Sequence, residues 1–340
     1  MLTGALADAG FFARFHAEAW LRAAGARIAA VADPDLDKAR AFAREFRIPK
    51  VYADTAGMLM AEKPDFLDIV TGPETHRQLT EMAAARGVHV ICQKPMAPAW
   101  DDCLAMTARC EAAGVRLLIH ENWRWQPWYR EAKRLVAQGV LGRVFHVGFR
   151  MRTGDGRGSE PYAVQPYFRR MPRLLIYETL VHFLDPFRFL AGEFDSLSCR
   201  TARVNPVIAG EDCALIEIDF ASGAQGLIDA NRISGPAPPP PAFGELRIEG
   251  DAGMLRMLPD GALLLTAYGA EEREHAFERP AAGYKGDSVH AFQQHAVDCL
   301  RTGAPCESEA RGYLRTVAAV FACYRSAEEG RRVSPAEVMA

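Results

Sequence analysis

From residue 2 to about residue 120 the chain alternates short apolar runs with amphipathic helical segments. The runs are ALADAG, ARIAAVAD, FLDIVTG, VHVICQ and RLLIH. They are nearly continuous in hydrophobicity, as a strand must be when helices cover both faces of a parallel sheet. The pattern predicts a doubly wound, Rossmann-type α/β domain over residues 1–120. After Pro127 the period changes. One helix is expected over Trp128–Gln138, and then RVFHVGFRMR, LSCRTARV, CALIEIDF, AQGLIDANRI, ELRIEG and MLRML alternate apolar and polar positions. Period two predicts strands with one wet face, hence an α+β domain over residues 121–340 with a large, open, mostly antiparallel sheet. The Pro-rich stretch Ser234–Gly244 cannot continue a ladder and is expected as a loop at the sheet's edge. Helical periodicity returns over Ser288–Leu300 and Glu309–Glu329, in helices expected to pack on that sheet or back onto the first domain.

Charge and composition narrow the partners. Lys and Arg number 40, Asp and Glu 43, for a net charge of -3 with the signs interspersed. No field favours nucleic acid or an anionic membrane, so a small-molecule partner is expected. No apolar run approaches the roughly 18 residues of a membrane span, and the N-terminus lacks a basic region followed by an apolar signal core, which predicts a cytoplasmic protein. Eight Cys (Cys92, Cys103, Cys110, Cys199, Cys213, Cys299, Cys306, Cys323) lie scattered without a C-x-x-C pair. That suits buried, reduced thiols and predicts neither disulfides nor a metal site. An uncovered sheet face in the second domain would be a large apolar patch, which predicts a homodimer or homotetramer joined there.

The turn after the first strand reads Asp8-Ala9-Gly10-Phe11-Phe12-Ala13, a G-x-G-x-x-A pattern with Asp8 in the first glycine's place. Such a turn lets backbone amides and a helix N-terminus meet a pyrophosphate, so Gly10, Phe11 and Phe12 are cofactor candidates. A carboxylate beside a pyrophosphate is unfavourable unless it points away. Asp33 ends ARIAAVAD 23 residues after Gly10, where an acidic side chain holds the adenosine ribose and repels a 2′-phosphate; this favours NAD over NADP. Asp33 with Pro34 also fits a plain turn or cap before the helix Asp35–Phe46.

Several segments together resemble the Gfo/Idh/MocA family of glucose-fructose oxidoreductase and inositol dehydrogenase. They are AGFFARFH (9–16), VADPDLDKARAFAREF (31–46), TGPETH (71–76), GVHVICQKPMA (87–97), NWRWQPWYREAKRLV (122–136), LGRV (141–144), ETLVHFLD (178–185) and YRSAEEGRRV (324–333). The family's Glu-Lys-Pro appears here as Gln93-Lys94-Pro95, and its Asp four residues before a His appears as Glu178 and His182, with Leu180 where a small residue usually stands. The resemblance implies an NAD-dependent dehydrogenase of sugars or polyols, such as a pentose of the apiose type. It implies Thr71, Pro73 and His76 as neighbours of the nicotinamide ribose and phosphates, Lys94 and Gln93 at the cofactor, and His182, Lys94 and Glu178 as the catalytic set.

The chemistry suits these residues. Oxidising a carbinol requires removal of the hydroxyl proton as carbonyl character develops, and His182 titrates in the right range to be the base. Glu178, read as one helical turn earlier, orients the imidazole or binds a substrate hydroxyl. Lys94 shares the proton relay or bonds a hydroxyl. Without the motif beside it, His182 reads equally as a satisfied core histidine. The run His120–Trp125 ends a parallel strand where open α/β sheets place ligands, which makes Asn122, Trp123 and Arg124 substrate candidates, with Asp185, Arg152 and Tyr162. Trp123, Trp125 and Trp128 suit either a sugar face or core packing. Two other readings stand beside the dehydrogenase: a regulator that binds NAD or a sugar without turnover, and an NAD-dependent glycosidase.

Overall fold

The computed structural model describes residues 1–340 and falls into two compact units that are not consecutive in sequence: 1–125 with 280–315, and 126–279 with 316–340. In the first unit β1 (Leu2–Ala7), β2 (Ala26–Ala32), β3 (Lys50–Tyr52), β4 (Phe66–Ile69), β5 (His89–Gln93) and β6 (Leu117–His120) form one sheet in the order β3-β2-β1-β4-β5-β6. All its pairs are parallel. The helices between them are α1 (Ala13–Trp20), α2 (Leu36–Phe46), α3 (Thr55–Glu62), α4 (Pro73–Ala84) and α5 (Trp100–Ala112). This is the doubly wound order, in which the order of strand addition reverses between β1 and β4 and opens a crevice at the strands' carboxyl ends. The three-residue β3 is too short for hydrophobic periodicity to reveal.

The second unit opens with α6 (Pro127–Ala137) and β7 (Val144–Arg152), followed by α7 (Val181–Ala191) and β8 (Phe194–Ala202). Next come β9 (Cys213–Phe220), β10 (Gln225–Asn231), β11 (Gly244–Gly250), β12 (Gly253–Met257), β13 (Leu263–Ala267) and β14 (Arg273–His275). They form one sheet in the order β14-β13-β12-β11-β7-β10-β9-β8, antiparallel except for the β10–β7 pair. Val147, Phe149, Met151, Ile216, Ile218 and Ile228 point inward, and Phe149 stacks on Phe183 of α7 with ring centroids 4.0 Å apart.

The chain closes with α8 (Ser288–Thr302), α9 (Ala310–Glu329) and α10 (Ala336–Met339). α8 belongs to the first unit, where Phe292, Ala296 and Val297 pack with Phe66, Ile91 and Leu118. Burying one such Phe contributes about 1.5–3 kcal/mol.

One expectation is qualified and one needs correction. The outward face of the large sheet is mixed, with Arg150, Arg152, Glu217, Asp229, Arg247 and Glu249 beside Leu215, Leu227, Met254 and Leu264. The Pro-rich segment is not at an edge. It joins β10 to β11, which flank β7 in mid-sheet, and crosses the end of β7 through Gly235 N to Thr153 O (3.0 Å) and Gly154 N to Pro236 O (2.8 Å). Proline suits it because a crossover has no ladder to serve.

A Cβ on Gly235 would lie 2.1 Å from the Arg152 carbonyl oxygen. Gly235→Ala must lift the crossover and is expected to cost about 1–3 kcal/mol in urea denaturation. Gly312→Ala in α9, where a Cβ meets nothing within 4 Å, should instead stabilise by about 0.5–1 kcal/mol. Equal effects would refute the close approach.

Candidate active site

In the first unit the turn from β1 into α1 settles the question raised by Asp8. This residue adopts φ 92°, the left-handed backbone that its glycine counterpart enters freely. Its carboxyl accepts from Lys38 Nζ, 3.1 Å away, and crowds the position a Cβ on Gly10 would take, at 2.5 Å. Burial and a hydrogen bond with Asp33 raise the Asp8 pKa. Asp33 accepts from the Ala9 amide (3.0 Å), the Asp35 amide (2.9 Å) and Lys38 Nζ (2.6 Å). Burial opposes its ionisation, but these donors outweigh it and hold Asp33 below the usual carboxylate range. Asp33 therefore both makes the turn and stands beside Ala9. The α2 cap is Asp35, whose carboxylate accepts from the amides of Asp37 and Lys38.

The N-terminus of α1 has no side-chain cap, so its first amides remain for an anion, and Phe11 stands exposed beside it. Uncapped amides, a tight Gly10 turn and an ionised Asp33 are the donor and acceptor set a dinucleotide requires. The residues fit NAD.

Below the sheet's carboxyl edge lies a fully buried polar chain. Asp68 of β4 accepts from Trp20 Nε1 (2.6 Å) and pairs with His16 Nδ1 (2.8 Å). His16 Nε2 faces Gln93 Nε2 at 2.7 Å, and the same amide nitrogen reaches His120 Nδ1 at 3.2 Å. Gln93 Oε1 accepts the Lys94 amide (3.1 Å). Gln93, read from sequence as a cofactor residue, is thus turned into this chain. His76 is buried behind the 71–76 loop, between the Thr71 and Met96 carbonyls at 3.0 and 3.1 Å. Burial lowers its pKa while the two carbonyls raise it, and in the neutral ring the single N–H donates to only one of them. Thr71 bonds Thr75 (2.6 Å), and Pro73 begins α4.

Lys94 follows β5, and the register that sets Gln93 opposite His120 sets Glu121 as the next residue on β6's side. Glu121 is fully buried, and burial pushes its pKa up to about 7. The Trp123 amide (3.0 Å), the charges of Lys94 and Arg124 and the Tyr313 hydroxyl (3.3 Å) offset part of that cost. Lys285, at φ 46°, lies over the Trp123 ring at 5.3 Å, and burial pushes it down to about 7. Sequence reasoning singled out neither as a site candidate. Glu121 was legible as the residue after a parallel strand, whereas Lys285 had no signal. Asn122 and Arg124 are committed to Ser288 Oγ (2.7 Å) and the Glu307 carbonyl (3.2 Å).

In the second unit His182 lies in the first turn of α7. Glu178 precedes it in a π-helical turn, Leu175–Leu180, rather than in the same α-helix, so the assumed i, i+4 face does not hold. Its neighbour is Arg232, which sequence reasoning passed over. This buried guanidinium pairs with Asp155, approaches Glu178 Oε2 at 3.8 Å, donates to Thr179 Oγ1 (3.0 Å) and covers the Tyr162 ring at 4.6 Å. Burial opposes its charge, but Asp155, Glu178 and Tyr162 raise its pKa further. Tyr162 (φ 59°) is buried beneath it. Asp185 accepts from Thr316 Oγ1 (3.1 Å). Arg152 alternates to the sheet face opposite α7 and pairs with Asp229, apart from His182's surroundings. Trp123, Trp125 and Trp128 are all buried.

Comparison with known proteins agrees with this geometry. Residues 5–121 match the model of an oxidoreductase family with an NAD-binding Rossmann fold, and residues 129–256 match the Gfo/Idh/MocA C-terminal domain. The chain belongs to the Gfo/Idh/MocA family. A D-apiose dehydrogenase of Paraburkholderia graminis is 38% identical over 97% of this chain and 88% of its own. One from Rhizobium rhizogenes is 36% identical over 98% and 97%. The crystal structure of an oxidoreductase from Agrobacterium radiobacter, in complex with NAD+, L-tartaric acid and magnesium, superposes with a TM-score of 0.92 at 34% identity, covering 99% of both chains. The chain is thus an NAD-binding oxidoreductase with a dehydrogenase's two-domain fold.

Glu121 yields a pH prediction. With a folded pKa of about 7 against an ordinary 4.5, the folded state holds more protons than the unfolded chain between those values. Stability therefore falls as pH rises through that window and stays lower above it. Glu121→Gln should remove this decline and leave the variant more stable at pH 8 by on the order of 2 kcal/mol. Parallel urea-derived stability curves for variant and wild type from pH 5 to 8 would refute it.

Proposed function

We propose that this chain oxidises a sugar or polyol hydroxyl with NAD, and that a pentose of the apiose type is its substrate. The observation that carries the reading is Lys94 beside the buried Glu121 carboxyl, at the carboxyl edge of the sheet whose first turn fits a dinucleotide. The two D-apiose dehydrogenases that match nearly the whole chain support the substrate class. When bound, NAD supplies the two-electron acceptor, with the turn at Gly10, Phe11 and Phe12 holding its pyrophosphate and Asp33 its ribose.

The protein's own task is the proton. His182 takes it from the hydroxyl as the carbon becomes a carbonyl, for which a neutral imidazole at neutral pH suffices. Lys94 Nζ holds the hydroxyl oxygen and shares the proton, and Glu121, which titrates near neutrality, balances Lys94's charge. Glu178 orients the substrate side of the site, and Arg232 fixes Glu178 through Asp155 and Thr179.

NADH absorbance with a panel of pentoses, hexoses, polyols and inositols tests this, with NADP in parallel. His182→Asn should lower kcat about 10² to 10⁴-fold while NAD still binds by fluorescence titration, and Lys94→Ala should abolish most turnover on the same substrate. NAD binding without turnover on any member would overturn the proposal in favour of a regulator. Consumption of a glycoside without net NADH would favour the glycosidase.

A further inference from the structure

α8 carries a second constellation, separate from the residues above. His295 and Cys299 stand four residues apart on one face of the helix. The helix ends at Thr302, Gly303 turns the chain with φ 74°, and Cys306 returns to the same place. The side-chain donor atoms of His295, Cys299 and Cys306 all lie within 4.8 Å of one another. Cys299 Sγ is 3.4 Å from His295 Nε2, and the two cysteines are hydrogen-bonded. A tetrahedral ion with bonds of about 2.3 Å to sulfur and 2.0 Å to nitrogen separates S from N by about 3.5 Å and S from S by about 3.8 Å.

We propose that His295, Cys299 and Cys306 form a binding site for a thiophilic divalent cation of the Zn2+ class. The surroundings suit that role. His295 Nε2 accepts from the Glu307 amide (3.1 Å) with its one lone pair, so this nitrogen is the unprotonated one and a metal bound there takes the place of that amide. The ring is held against Trp125 at 4.6 Å, which fixes its direction. The Ser308 amide donates to Cys306, and the Arg116 cation, bonded to the Cys299 carbonyl (2.8 Å), favours the thiolates. Two thiolates and a neutral imidazole leave a divalent ion with no net charge in a buried place. Burial holds both free thiols protonated, Cys306 up to about 12, so they resist oxidation, and metal binding must displace two protons.

The site sits where a clamp has leverage. Ser308 O accepts from Ile119 N (2.8 Å), Glu309 bridges to Leu118, and the Glu307 carbonyl receives Arg124. A metal there pins the turn between α8 and α9 against β6, the strand that delivers Glu121. Its role is to brace the unit.

Tag-free full-length protein, reduced and stripped with chelator, is titrated with Co2+. One equivalent should bring up a thiolate-to-cobalt charge-transfer band with the strong visible absorption of a tetrahedral site, which Zn2+ then discharges. Stoichiometric Zn2+ should raise Tm and make two thiols inaccessible to a thiol reagent. Cys306→Ser and His295→Asn should each weaken uptake at least about 10²-fold, while retained NAD binding shows that the variants fold. Absence of the thiolate band, uptake unchanged in both variants, or a Cys299–Cys306 disulfide in place of uptake overturns the site.

Discussion

The first unit is organised around one fully buried carboxylate, Asp68. A charge with no access to water must be met by donors, and the two it receives come from His16 and Trp20 of α1. With His16 Nδ1 donating, His16 Nε2 must accept, which is met by the Gln93 amide nitrogen; Gln93's second N–H goes to His120. That leaves Gln93 Oε1 for the Lys94 amide. The chain of hydrogen bonds that starts at Asp68 Oδ2 thus ties α1, β4, β5 and β6 together. Those elements carry the dinucleotide turn, Lys94 and Glu121.

Arg232 holds the corresponding position in the second unit, with opposite sign. It is buried at the end of a central strand and collects Asp155, Thr179, Glu178 and the Tyr162 ring. Its partners come from the loop after β7 and from the π-turn before α7, so the cation sets the entry of the helix that bears His182. Removing such a partner strands the others, which makes the arrangement costly to vary.

Periodicity made the architecture readable because burial on two faces and on one face leave different hydrophobic patterns, and both sheets are long enough to show them. The turn at Gly10 and the hydrogen bonds Asp33 makes within it were readable because they depend on local backbone. What escaped depends on contacts remote in sequence. Whether Asp8 would face a pyrophosphate turned on Lys38, 30 residues away. The π-turn at Glu178 leaves no trace in spacing, since an Asp or Glu four before a His suits either helix. Arg232 and Lys285 are single charges in unremarkable segments, and alternation shows that a strand has two faces without showing what each meets.

The departure from Glu-Lys-Pro is explained by the same buried chain. A carboxylate at position 93 would sit between His16 Nε2 and His120 Nδ1 with Asp68 already beyond His16, and would need an extra proton on one imidazole to be satisfied. The amide supplies two hydrogens instead and leaves both facing nitrogens unprotonated. Lys94 then has a neutral neighbour in its own strand, and the carboxyl near it is Glu121 on β6. A carboxyl there titrates close to neutrality because it is buried, so the charge facing Lys94 changes near neutral pH. A Glu at 93, coupled to two histidines, would instead hold an added proton in the core.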